Sequence, residues 1–142
     1  MSTTTAIATT TRAKGRRARR GRAMNVTLWA LQILLALSFV SAGAQKLAGS
    51  PYMVDLFTKI GAGQWLRYAI GLIELAGAIG LVLPPLSGRA ALGLTALMVG
   101  ATATNLFIGY SPWVPLGFLL ASALVAWGRW LRTTALPVNL HR

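Results

Sequence analysis

Acidic residues are nearly absent from this chain, and cysteine is absent altogether. Asp55 and Glu74 are the only acidic residues among 142, against 14 lysines and arginines. The lack of cysteine excludes disulfides, thiol redox chemistry, cysteine-held iron–sulfur clusters and thiolate zinc sites. The one histidine, His141, is the penultimate residue. We therefore expect no metal or haem site built from the side chains of this chain alone.

Apolar surface, in contrast, is abundant. The chain is 55% hydrophobic and only 11% charged, and its mean hydropathy is +0.60. A soluble domain has about a quarter of its residues charged. Too few polar groups are present to cover a water-soluble globule of this length, so the excess apolar surface must face lipid. The length itself predicts a single folded domain.

The basic residues are concentrated at the N-terminus, where seven of the 14 lie within the first 22 positions. Residues 1–23 show no apolar periodicity, and we predict a disordered basic tail there. Because an apolar segment follows directly, the tail is interpreted as a positive-inside anchor that touches anionic lipid, not as a nucleic-acid-binding segment. Whether translation starts at Met1 or Met24 stays open.

Four apolar segments follow, each long enough to cross a bilayer, which needs roughly 20 residues. A short amphipathic helix near residues 51–60 separates the first two. It either lies on the membrane surface or covers the bundle, or it is a plain packed connector, and these interpretations stay open. The sequence predicts an all-α membrane fold, an up-down bundle of four transmembrane helices in a domain of residues 24–132, followed by a C-terminal tail of residues 133–142. The predicted transmembrane helices cover about residues 25–47, 64–83, 90–108 and 112–130.

The distribution of basic residues predicts the orientation. With the N-terminus inside, eleven lysines and arginines lie on the inner side and three on the outer side. The positive-inside rule then places both termini in the cytoplasm of a multi-pass plasma-membrane protein. Most tryptophans fall near the predicted helix ends, as in an aromatic belt.

Glu74 lies near the middle of the second span. A carboxylate in a membrane helix costs roughly 2.5–3.5 kcal/mol on insertion scales, so partners are expected. Lys46 and Gln45 end the first span, and Asn105 lies at comparable depth in the third, so we predict one polar cluster with Glu74. Arg67, two turns before Glu74, is the second candidate cation. The cluster is either a structural ion pair or a ligand or proton site, and both interpretations stay open.

Two short motifs resemble those of the DoxX and DoxX-like family of small four-helix membrane proteins. The first is F-x-x-A-G-x-x-K-L near the end of the first span, and the second is G-x-x-E-x-x-G with neighbouring leucines in the second span. The residues that match are Phe39, Ala42, Gly43, Lys46 and Leu47, then Gly71, Glu74 and Gly77. The likeness covers roughly residues 25–130. It implies an accessory role in membrane redox or oxidative-stress assemblies, one branch being associated with quinone reduction.

Three functions are compatible with these features. The first is an accessory or scaffold subunit of a redox or oxidative-stress complex, with a membrane redox protein or a second copy of the chain as partner and no independent catalytic activity. The second is a small proton-coupled transporter of the small-multidrug-resistance type, although there the glutamate lies in the first helix and lacks a cation partner. The third is a quinone- or lipid-binding enzyme subunit, in which Glu74 and Asn105 hydrogen-bond a quinone headgroup. In this chain any cofactor would be a bound quinone.

Overall fold

A computed structural model describes the backbone of residues 2–134 and the side chains of residues 15–132, and within this part of the chain it contains five α-helices. Four of the helices, α1, α3, α4 and α5, are long and apolar enough to cross a membrane. The all-α membrane fold is therefore confirmed. In chain order the helices are α1 (Ser2–Ala48), α2 (Pro51–Ile60), α3 (Gln64–Val82), α4 (Ser87–Phe107) and α5 (Trp113–Thr134).

The N-terminus differs most from the prediction. α1 begins at Ser2, whereas we predicted a helix from about residue 25 preceded by a disordered tail over residues 1–23. Residues 2–24 contain no proline and several alanines and arginines. Such residues favour helix, so the helix of the apolar segment extends backward through the basic one. Contacts divide the chain after Ala30 into two units, and the bundle described below begins at Leu31.

The remaining helix ends agree closely with the sequence. α2 begins at Pro51 and is followed by Gly61 in a left-handed conformation, with φ of 77°. α3 ends just before Pro84, which cannot continue a helix. α4 begins three residues earlier than predicted, and α5 continues to Thr134. Residues 135–142 of the predicted C-terminal tail lie outside the described residues, and the domain boundaries stay predictions.

The bundle core is apolar and draws on all four long helices. Phe39 of α1 is 1% exposed, and its ring centroid lies 5.2 Å from that of Phe118 in α5. Leu81 of α3 and Leu94 of α4 are buried beside them. The outward faces are also apolar, and residues such as Leu34 are exposed. These faces meet lipid, so helix association depends on close packing and interhelical hydrogen bonds.

α2 is amphipathic, as predicted, and is tied to the loop between α4 and α5. Phe57 is buried, while Asp55 and Lys59 form an exposed ion pair with an N–O distance of 3.6 Å. Tyr110 joins this pair, because its hydroxyl donates to Asp55 and accepts from Lys59 Nζ at 3.2 Å. The ring of Tyr52 packs against that of Tyr110 with centroids 6.0 Å apart. α2 is therefore held by polar as well as apolar contacts.

The contacts of Asp55 with Tyr110 and Lys59, which help to hold α2 in place, are sensitive to pH. The hydrogen bond from Tyr110, together with the charge of Lys59, lowers the pKa of Asp55 below its ordinary value of 3.8. Stability linked to a lowered carboxyl pKa is present above the unfolded pKa and is lost as pH falls through the folded pKa. The hydrogen bond with Tyr110 and the charge of Asp55 raise the pKa of Lys59 above 10.5, so its contribution is lost only as pH rises through that higher pKa.

Tyr110→Phe is expected to raise the pKa of Asp55 toward 3.8, because it removes the largest cause of the shift. Carbon-13 NMR of the labelled carboxyl group measures this pKa directly. Tyr52→Phe is the matched control, since Tyr52 contacts the Tyr110 ring but does not bond Asp55. An Asp55 pKa that stays unchanged in Tyr110→Phe, or that moves equally in both variants, contradicts this account.

Candidate functional site

Lys46 and Glu74 form a buried ion pair between α1 and α3. Lys46 Nζ lies 3.0 Å from Glu74 Oε1 and 2.9 Å from Oε2, so it donates to both carboxylate oxygens. Glu74 is 2% exposed and Lys46 is 8% exposed. The predicted partnership of these two residues therefore has the geometry of a closed pair. Each charge is neutralised by the other inside the bundle.

Two glycines bring the helices close enough for this pair. Gly43 and Gly71 each lie one turn before the charged residue of their own helix, and both are buried. A Cβ atom added to Gly43 would lie 2.9 Å from the carbonyl oxygen of Gly71, and one added to Gly71 would lie 3.2 Å from that of Gly43. The two backbones are therefore in direct contact. Small residues permit such an approach in membrane bundles.

Arg67 stabilises the end of α1 and does not contact the carboxylate of Glu74 directly. Gly49 adopts φ of 71°, and the N–H groups of Gly49 and Ser50 donate to the carbonyls of Lys46 and Gln45 at 3.3 and 3.1 Å. This is a Schellman ending. Arg67, which is 4% exposed, also donates from Nη1 to the Lys46 carbonyl. A cation is favourable at a helix C-terminus. The backbone carbonyl of Lys46 therefore accepts a hydrogen bond from Arg67, while the side chain of Lys46 donates to Glu74.

Gln45 and Asn105 do not join this group. Gln45 is exposed and donates from Nε2 to Ser41 Oγ at 3.3 Å on its own helix. Asn105 lies in the last turn of α4, and its Nδ2 donates to the Ser111 carbonyl at 2.9 Å. We predicted that both residues lie near Glu74 because they occur at a similar depth in the membrane. Depth does not determine which way a side chain points around its helix. The structure thus brings together Lys46, Glu74 and Arg67, and a role for them in ligand or proton binding stays a prediction.

A second buried polar group, centred on Gln32, was missed by the sequence analysis. Gln32 is fully buried; its Nε2 donates to the Leu81 carbonyl, and its Oε1 accepts from Arg129 Nε at 2.7 Å. The Leu81 carbonyl lies in the last turn of α3, where no later N–H of the helix can reach it. A signal was available, because Gln32 is the only amide side chain in the apolar segment of residues 26–44.

Gln32→Leu is expected to lower the free energy of unfolding by about 1.5–3 kcal/mol, the range for hydrogen bonds to charged groups. The substitution removes the acceptor for Arg129 and the donor for Leu81. Gln45→Leu is the matched control, because that glutamine is exposed and its side chain bonds Ser41 on its own helix. Unfolding in detergent followed by circular dichroism measures both variants. Equal stabilities for the two would contradict a bridging role for Gln32.

The hydrogen bonds of the Lys46–Glu74 pair connect two helices. Both oxygens of Glu74 accept hydrogen bonds from Lys46. Removing one partner of a buried ion pair strongly destabilises a folded protein, because an uncompensated charge is left inside it. In the described residues, no three side chains of the kinds that ligate metals come together. The arrangement ties α1 to α3 in one register.

Comparison with known proteins identifies the family. The model of the DoxX-like family matches residues 30–128, which is more than half of the chain and includes Gln32, Lys46 and Glu74. No curated protein and no solved structure matches the chain. Four apolar helices agree with the family expectation of a multi-pass membrane protein. The chain belongs to the DoxX-like family.

Proposed function

We propose that this DoxX-like protein is an accessory or scaffold subunit of a redox or oxidative-stress complex in the plasma membrane, with both termini in the cytoplasm. The observation that carries the proposal is the closed Lys46–Glu74 pair. Both carboxylate oxygens accept hydrogen bonds from one lysine, so these two buried charges hold α1 and α3 together. A subunit whose buried polar groups are used in this way acts by binding a partner protein and positioning it in the membrane.

The same pair argues against the proton-coupled transporter. Such a transporter needs a carboxylate that exchanges a proton for a substrate, whereas Glu74 is 2% exposed and neutralised. The glutamate also lies in α3, the second membrane helix, and not in the first. Efflux of a lipophilic cation that disappears in Glu74→Gln while the protein stays folded would support the transporter instead.

The redox part of the proposal rests on family membership. The chain has no cysteine and a single histidine near its end, so its redox groups would come from a bound quinone or from a partner's cofactor. A quinone held between Glu74 and Asn105 would have to replace the bonds that these residues make to Lys46 and Ser111. A partner's cofactor requires no such change, and we favour it.

Purification of the tagged full chain from native membranes in mild detergent tests this proposal. The expected product is a complex larger than the 15.1 kDa chain, with a partner that carries a flavin, haem or iron–sulfur cofactor visible in the absorbance spectrum. A tagged, unrelated four-helix membrane protein from the same host is the control for non-specific capture. A stable single chain with neither partner nor quinone would contradict the proposal.

A further inference from the structure

A basic groove opens between the start of α4 and the end of α5. Its volume is about 450 Å³, and its lining includes Arg89 from α4 and Arg129, Trp130 and Arg132 from α5. The helices converge beneath it, since a Cβ added to Gly88 would lie 3.5 Å from the Cβ of Arg129. For scale, one water molecule takes up about 30 Å³ of liquid. The groove therefore has room for a small polar group of several heavy atoms.

The described residues that line the groove carry charge of one sign. Three guanidinium groups line the groove, and no carboxylate is among the described residues that line it. The two acidic side chains of the chain are engaged elsewhere, Glu74 with Lys46 and Asp55 with Lys59 and Tyr110. Arginine presents several N–H donors in a planar fork that matches phosphate oxygens in a bidentate way. The lining thus suits an anionic group such as a phosphoryl group better than a neutral ligand of the same size.

The position of the groove points to the membrane interface. It lies where the α4 span begins at Ser87 and where the α5 span ends at Arg132. Trp130 is 70% exposed at this level, and tryptophan concentrates at the depth of lipid headgroups. α4 has no side-chain cap and no acidic residue in its first turn, so the positive end of its dipole adds to the field of the arginines.

We propose that this groove binds the phosphoryl group of an anionic molecule, with the headgroup of an anionic phospholipid as the source favoured by its depth. Basic pockets between transmembrane helices recognise anionic headgroups in this way. The groove is separate from the Lys46–Glu74 pair, which involves α1 and α3. A lipid bound in the groove would hold the start of α4 and the end of α5 at the level of the lipid headgroups.

Binding of phosphatidylglycerol to the purified full chain tests this inference. Native mass spectrometry in detergent gives the affinity, with phosphatidylcholine of the same acyl chains as the neutral comparison and potassium phosphate as the soluble one. The test variant is Arg89→Gln with Arg132→Gln, which leaves Arg129 bonded to Gln32. The control is Lys59→Gln, which removes a basic charge from an exposed position outside the groove.

Saturable binding of one phosphatidylglycerol is expected, preferred over phosphatidylcholine and weakened at least about tenfold in the groove variant, because each charge-assisted contact contributes about that factor. The control should stay within about twofold, because Lys59 is exposed and does not line the groove, and exposed charges are screened by salt. Arg89→Lys with Arg132→Lys keeps the charge but not the planar fork, so its affinity should lie between that of the wild type and that of the groove variant. Displacement of the lipid by millimolar phosphate would support phosphoryl recognition and assign a soluble source. Equal binding of both lipids, or equal losses in the groove and control variants, would overturn the inference.

Discussion

Glu74→Gln is expected to lower the free energy of unfolding by about 3 kcal/mol or more. The substitution preserves shape but leaves Lys46, which is 8% exposed, without its counter-charge inside the bundle. Breaking a buried pair by removing one partner costs about 3–5 kcal/mol, because the remaining charge is desolvated and uncompensated. Titration of the detergent-solubilised protein with a denaturing detergent, followed by circular dichroism, measures the loss.

The chain offers its own matched control for this substitution. Asp55 is the only other acidic residue, and its ion pair with Lys59 is exposed. Exposed pairs contribute little to stability because solvent screens them, so Asp55→Asn should change stability far less than Glu74→Gln does. If the two variants lose the same amount, burial of the Lys46–Glu74 pair has no special energetic role.

Gly43→Leu is expected to be at least as damaging. Even a single added Cβ would lie 2.9 Å from the Gly71 carbonyl oxygen, and backbone at that position cannot move aside without separating α1 from α3. Overpacking of this kind costs about 1–3 kcal/mol. Separation would also stretch the ion pair one turn away, so we expect a loss above that range. The same unfolding titration measures it.

Gly100→Leu is the matched control, since Gly100 lies inside α4, and an added Cβ there would meet nothing within 4 Å. Glycine is about 0.8–1.0 kcal/mol less favourable in a helix than alanine, and leucine ranks close to alanine, so this variant should be as stable as the wild type or slightly more so. Comparable losses at both glycines would show that helix propensity, and not the α1–α3 contact, governs the result.

Most of the fold was predictable because bilayer thickness and hydropathy restrict a chain of this kind to few arrangements. The breaks at Pro84 and Gly61 then determined the ends of α3 and α2. The N-terminus was not predictable from hydropathy, because a basic segment without apolar periodicity can still continue a helix that begins next to it. The helical backbone from Ser2 is an example.

The candidate site was predictable only in part. The Lys46–Glu74 pair followed from the cost of burying one carboxylate and from the scarcity of cations nearby, and the structure joins these residues. Gln45 and Asn105 were placed by depth alone, which carries no information on the rotation of one helix against another. Gln32 was overlooked because it is neutral, although a buried amide also needs partners and finds them in Leu81 and Arg129.

Together the two buried polar groups explain how α1 is held by its neighbours. The pair with Glu74 ties α1 to α3 near the end of α1. Gln32, about 20 Å earlier at 1.5 Å per residue, bonds both the last turn of α3 and Arg129 of α5. In lipid, where apolar contacts give little net drive for association, such bonds and close contacts select one register.

A double-mutant cycle between Lys46 and Glu74 tests the central claim most directly. The stabilities of Lys46→Met, Glu74→Leu and the double variant are compared with that of the wild type. We predict that each single substitution is strongly destabilising, that the double variant is more stable than either, and that the coupling energy is at least about 2 kcal/mol, because apolar replacement of a whole buried pair is often tolerated. Additive losses, with the double variant the least stable of the three, would contradict the account of this pair as the tie between α1 and α3.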